Sequence, residues 1–101
     1  GWIGYSPAVR YHATQRIRSR LAPFASQIRS VAIRISQHEL HTGAQRRCET
    51  EVLSGDAGPI SASSVGVDLF RLVDGTVETI VTMLRARTAA TRQDELSQRI
   101  G

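Results

Sequence analysis

The sequence predicts an α+β fold: a two-layer β-α-β-β-β-α sandwich with two helices packed on one face of a mostly antiparallel sheet, its first strand largely truncated. Three observations predict it. Two segments repeat apolar residues every three or four positions, the spacing of one covered helix face. Between them lie short segments that alternate apolar and polar residues, as a strand covered on one face does. The periods switch in the order helix, strands, helix, which gives two layers with both helices on the same side.

The opening "GWIGY" is short, apolar and interrupted by glycine, the remnant of a strand or a linker, and Trp2 and Tyr5 serve there as anchors or as stacking groups. The first helix follows, with Ser6 as N-cap and Pro7 at the first helical position, where its missing N–H does no harm. Val9, Ala13, Ile17, Leu21 and Phe24 form its apolar stripe, and Pro23 ends the regular helix. In "SVAIRIS", Val31, Ile33 and Ile35 point one way and Ala32, Arg34 and Ser36 the other. "QHELHTGAQ" reads as a polar loop. "RRCETEVLS" alternates again, with Cys48, Thr50 and Val52 inward; "GDAGP" is a turn by composition, and "ISASSV" is a third short strand.

The last helix runs from Asp68 to about Arg87. Leu69, Val73, Val77, Ile80 and Leu84 make its stripe, Phe70, Val81 and Met83 flank it, and Arg71, Asp74, Glu78, Thr82 and Arg85 lie opposite. Asp68 stands where an N-cap belongs, and its charge suits the positive end of the helix. Gly75 in mid-helix costs about 1 kcal/mol relative to Ala, which suggests that another backbone packs closely against it. "TAATRQDELSQRIG" keeps helical composition and loses the stripe, so residues 1–90 form the domain and residues 91–101 a frayed extension or linker.

Composition narrows the function. The 101 residues make one domain with a modest core, and 41% hydrophobic content with 5% aromatic leaves aliphatic residues to fill it. No apolar run approaches the roughly 18–20 residues of a bilayer span, and no basic start leads into the apolar block of a secretory signal. Cys48 is the only cysteine, so an internal disulfide is excluded and a reduced, cytoplasmic setting is expected. All 13 basic residues are arginine, the net charge is +4 and the isoelectric point is near 10.6, a balance that suits an anionic partner, most simply RNA or DNA. GC-rich coding accounts for the arginine preference at least as well as function does.

One stretch carries a resemblance. "ISASSVGVDLFRLVDGTVETIVTMLRAR" resembles the ribosome hibernation-promoting factor family, also called ribosome-associated inhibitor or sigma-54 modulation proteins. The matching positions are Ala62, Ser63, Gly66, Asp68, Leu69, Phe70, Val73, Asp74, Leu84, Arg85 and Arg87, and "LAPFASQIRSVAIRIS" and "RRCETEVL" are similar to the family's first helix end and second and third strands. The likeness covers about residues 6 to 90. It implies a four-stranded sheet with both helices on one face, seated on 16S rRNA of the small subunit, in 30S or 70S particles, where it blocks the mRNA and tRNA channel during dormancy or stress. Long members carry a C-terminal dimerisation domain, which would lie beyond Gly101. The Arg71-Leu72 pair departs from the small residues usual there, and the last helix has fewer basic residues than the family shows.

The candidate RNA-binding residues are Arg16, Arg18 and Arg20 on the first helix, Arg46 and Arg47 entering a strand, and Arg85, Arg87 and Arg92 near the end of the second helix. The helical projection puts Arg16 and Arg20 on one flank of the stripe and Arg18 on the other. His38, His41 and Cys48 lack the spacing and the fourth ligand of a structural zinc site, so no metal or cofactor is expected. Asp74 and Glu78 mimic an acid/base pair but have no nucleophile or third partner, and ion pairing with Arg71 is the expected role. Catalysis has no support. The rival expectation is a non-ribosomal protein-interaction or dimerisation module of the same fold.

Overall fold

The computed structural model describes residues 7–41, 43–55 and 58–100, except the side chains of Leu40 and of residues 91–100. Helix α1 spans Pro7–Leu21, and a 3-10 segment, Ala22–Gln27, follows it. Strands β1 (Ile28–Leu40), β2 (Gly43–Ser54) and β3 (Gly58–Gly66) lead to helix α2 (Leu69–Ile100). The strands form one antiparallel sheet in the order β1-β2-β3. The predicted two-layer α+β arrangement is therefore present. Ser6, Trp2 and Tyr5 lie outside the described residues, so the order among those described is α-β-β-β-α.

Pro23 stops α1 as expected. Its ring removes the N–H that the next helical turn needs, and the chain tightens into the 3-10 segment, which buries Phe24. A backbone hydrogen bond from Gly55 N to Gln27 O, 3.1 Å, ties the end of that segment to the turn after β2. Gly58 restarts the chain as β3 with φ +72°, a left-handed conformation that costs glycine little. At the other end of β3, a Cβ on Gly66 would sit 3.3 Å from Leu72 Cδ2, so glycine leaves room for the first turn of α2.

β2 is the central strand and its inward face is the floor of the core. Cys48, Thr50 and Val52 are all 0% exposed, as the alternation predicts. One apolar cluster joins Val9 and Ala13 of α1 to Cys48 and to Leu69, Leu72, Val73 and Val77 of α2. A second joins Leu21 and Phe24 to Val52, Ile60, Ile80, Val81 and Leu84, with Ile17 packed against both. Burying such side chains contributes roughly 1.5–3 kcal/mol each for the larger ones. Asp68 caps α2: Phe70 N–H donates to its Oδ1 at 3.0 Å, and Leu72 N–H to its carbonyl at 3.1 Å.

Inside this apolar floor lies one polar element. Thr50 and Thr76 are the buried polar side chains among the described residues, and their hydroxyl oxygens are 2.9 Å apart. The Thr76 hydroxyl donates to the Val73 carbonyl at 3.1 Å. A hydroxyl has one proton to give, so Thr50 must donate to Thr76. Cys48 Sγ lies 3.8 Å from the same oxygen, and burial pushes its thiol pKa up.

Three expectations need correcting. "QHELHTGAQ" is a loop only at its centre: β1 continues to Leu40 and pairs with Gly43, so a two-residue connection separates long strands. The distal hairpin is exposed on both faces, and polar side chains hid its strand character. Gly75 is not held by a close neighbour, since a Cβ there would meet nothing within 4 Å. Nothing in the structure requires a glycine at that position. Asp74 and Glu78 do not pair with Arg71; they meet Arg16 and Arg20 of α1.

α2 continues as helix through Ile100, which gives the molecule a long axis of 60 Å. No described helix is long and apolar enough to cross a membrane. The Gly75 finding sets a test: Gly75→Ala should raise the unfolding free energy by about 0.5–1 kcal/mol, because it restores helix propensity without a steric penalty. Urea denaturation measures this directly, and a destabilised variant would mean that the backbone there is not ordinary helix.

Candidate nucleic-acid interface

The first 38 residues contain six arginines and no acidic residue, whereas the remaining 63 hold seven arginines against nine acids. This segregation puts the basic character of the chain on α1 and β1. At about 100° per residue, side chains four apart share a helix flank. His12, Arg16 and Arg20 therefore form one row along α1, and Asp74, Glu78 and Arg85 share a flank of α2 within about 40°.

The two rows face each other. His12 Nε2 makes a 2.7 Å hydrogen bond with Asp74 Oδ1, and Arg16 Nε lies 3.0 Å from the same oxygen. Arg20 grips Glu78 with a two-point fork, Nε to Oε1 at 2.5 Å and Nη2 to Oε2 at 3.0 Å. The Phe70 ring meets His12 edge-on, with centroids 5.1 Å apart. Partners rise in number together along both helices, so α1 and α2 run parallel. The expected pairing of Asp74 and Glu78 with Arg71 is thus corrected: Arg71 lies 3.8 Å from Asp68 instead, and both acids belong to the seam between the helices.

Electrostatics in the seam follow from that geometry. The hydrogen bonds from Arg20 hold Glu78 below the usual carboxylate range; slight burial opposes this, and the charges of Arg20, Arg85 and Arg16 add to it. The same pairing pushes the Arg20 guanidinium up. Side chains in the Arg16–Asp74 and Arg20–Glu78 pairs are 37–51% exposed, so water screens them.

The other candidate arginines are dispersed. Arg18 points away from α2 and is exposed, on the flank opposite to Arg16 and Arg20. Arg46 is half-buried and its Nη1 donates to the Val67 carbonyl at 3.2 Å, bracing the junction between β3 and α2. Arg47 lies on the sheet face away from the helices, 3.6 Å from Glu49. Arg85 is exposed and close enough to Glu78 to act on it, while Arg87 is half-buried and turned about 200° from Arg85. The side chain of Arg92 lies outside the described residues. The fold therefore gathers Arg16, Arg20 and Arg85, and it does not gather Arg18, Arg46 and Arg47 with them.

His12 is the member of this cluster that sequence reasoning did not single out, and Asp74 and Glu78 were expected to pair within their own helix instead. A signal existed: an i, i+4 row of cations on one stripe flank, matched by an i, i+4 row of acids on the other helix. His38 lies on the outer sheet face and Cys48 on the inner one, so the fold separates them.

No protein-family model matches the chain, and no curated protein matches it either. The family likeness rests on the quoted residues alone.

The seam makes a measurable prediction. Because the Glu78 pKa is depressed in the folded state, its contribution is present above the ordinary Glu range, near 4.3, and fades as pH falls through the lower folded value. An NMR titration of the Glu78 carboxyl carbon should show a midpoint below the ordinary value, and Arg20→Ala should return it upward. An ordinary midpoint in the native protein would mean that the fork does not persist in solution.

Proposed function

We propose that this domain is a ribosome hibernation factor: it binds 16S rRNA of the small ribosomal subunit in the mRNA and tRNA channel and inhibits translation by occupancy. The observation that carries this reading is the gathering of Arg16, Arg20 and Arg85 where two parallel helices meet, on a chain whose first 38 residues contain no acid. The resemblance around Asp68–Arg87 supplies the identity of the RNA. Mechanistically, nothing beyond binding is required. Guanidinium groups exchange water and counterions for phosphate oxygens, and the sheet packed behind the helices makes the contact surface rigid. Recognition of structured RNA of this kind depends on shape and phosphate position more than on base edges.

A non-ribosomal interaction module is the second reading. Two observations favour it: Arg16 and Arg20 already have acidic partners, and β1 has no strand on its outer edge among the described residues. Such an edge accepts strands from other chains.

Sedimentation separates the two. The protein should travel with 30S and 70S particles at low salt, lose affinity steeply as salt rises, and lower protein synthesis in a reconstituted system. Arg85→Ala, which removes the exposed arginine of the cluster, should weaken binding and leave the melting temperature nearly unchanged, whereas Arg18→Ala, on the opposite flank of α1, should weaken it less. Full translation at saturating protein would overturn the ribosomal reading, and salt-insensitive association with another protein would favour the interaction module.

A further inference from the structure

The arginines that converge most closely are not free. Arg16 and Arg20 are held by Asp74 and Glu78, and Arg85 makes no ion pair among the described residues. A surface designed only to attract phosphate would not place two carboxylates among its arginines, because each repels an incoming anion. As stability devices the pairs are poor, since exposed ion pairs contribute little. The apolar stripes already hold the helices, through Val9, Ala13, Val77 and Val81 among others.

We infer that Asp74 and Glu78 are specificity-determining residues of this surface: they withhold Arg16 and Arg20 from loosely bound polyanions and release them to an RNA that presents several phosphates to the cluster at once. The inference rests on the RNA-binding reading above. A single phosphate that approaches Arg20 must displace a two-point carboxylate fork and gains little from the exchange. An RNA surface that meets Arg16, Arg20 and Arg85 together repays both exchanges, because its first contact, at Arg85, tethers the others at high effective concentration. Discrimination then comes from repulsion built into the site as well as from attraction. His12 supports the arrangement from the side: it shares Asp74 Oδ1 with Arg16, so Asp74 keeps a partner when Arg16 leaves.

The test compares the native protein with an Asp74→Asn/Glu78→Gln variant, using isolated 30S subunits and a labelled, non-ribosomal single-stranded RNA as probes. The variant should bind the single-stranded RNA on the order of tenfold more tightly and show a salt slope steeper by about two counterions. Its gain on 30S should be smaller, so the ratio between the two probes falls. A Glu39→Gln/Glu51→Gln variant carries the same change in net charge elsewhere and should leave the ratio near the native value. If both variants shift it equally, the effect is net charge and the inference is overturned. If the native protein binds 30S but Asp74→Asn/Glu78→Gln has unchanged affinities and slopes, the inference fails while the functional reading stands. Failure of every form to bind 30S overturns that reading, and the inference with it. A second measurement needs no variant: the Arg20 Nε–H resonance should move when 30S-derived rRNA saturates the native protein, and a stationary signal at saturation contradicts the release of Arg20.

Discussion

The hydrogen bond between Thr50 and Thr76 is the directional contact on which the placement of α2 depends. Apolar packing drives α2 onto the sheet but is indifferent to small rotations of the helix. A hydrogen bond is not, since it weakens steeply with misalignment. Thr50 stands at the middle of the central strand, and Thr76 reaches it from the face of α2 next to Val73 and Val77. A small rotation that broke this contact would bury the Thr50 hydroxyl without a partner, a cost of about 1–3 kcal/mol. Within the rotations that the apolar stripe of α2 permits, the hydroxyl chain Thr50 to Thr76 to the Val73 carbonyl favours the one in which both buried hydroxyls are satisfied.

That rotation determines the electrostatics of the seam. With Thr76 turned to the sheet, Asp74, Glu78 and Arg85 turn to the opposite flank, where α1 lies. Rotation by a single residue would carry the acids about 100° away and leave Arg16 and Arg20 unpaired. The apolar stripe, with its angle refined by the buried hydroxyl pair, therefore sets which arginines are held and which are exposed. The balance between attraction and repulsion on the surface follows from a contact that no ligand touches.

Much of this was legible in the sequence, for a physical reason in each case. Where burial is one-sided and the element is covered, the period of the apolar residues reports the fold. Cys48, Thr50 and Val52 were assigned inward by alternation alone, and the stripe from Leu69 to Leu84 by its three-and-four spacing. The cap at Asp68 and the stop at Pro23 are local chemistry and were equally readable. The distal hairpin around Leu40–Gly43 was not, because strands that extend past the helices have no covered face to record. Nor were the partners of Asp74 and Glu78. Within one helix, Arg71 is the nearest cation to Asp74, whereas the cations that meet these acids lie about 60 residues earlier and arrive only through tertiary packing. Helix phase predicts which flank a charge occupies; it does not say which element lies opposite.

The dependence on one buried hydrogen bond is best tested by a double-mutant cycle at Thr50 and Thr76, using valine, which keeps the shape of threonine and removes the hydroxyl, with stability measured by urea unfolding. The donor assignment makes the expected result asymmetric. Thr76→Val strands the buried Thr50 hydroxyl proton and should cost about 1–3 kcal/mol. Thr50→Val should cost less, because Thr76 keeps its bond to the Val73 carbonyl. The double variant should be more stable than Thr76→Val alone, giving a coupling of at least about 0.5 kcal/mol, and its Glu78 should titrate closer to the ordinary range as α2 loses its fixed rotation. Strictly additive single effects, with the Glu78 titration unchanged in the double variant, would contradict the account.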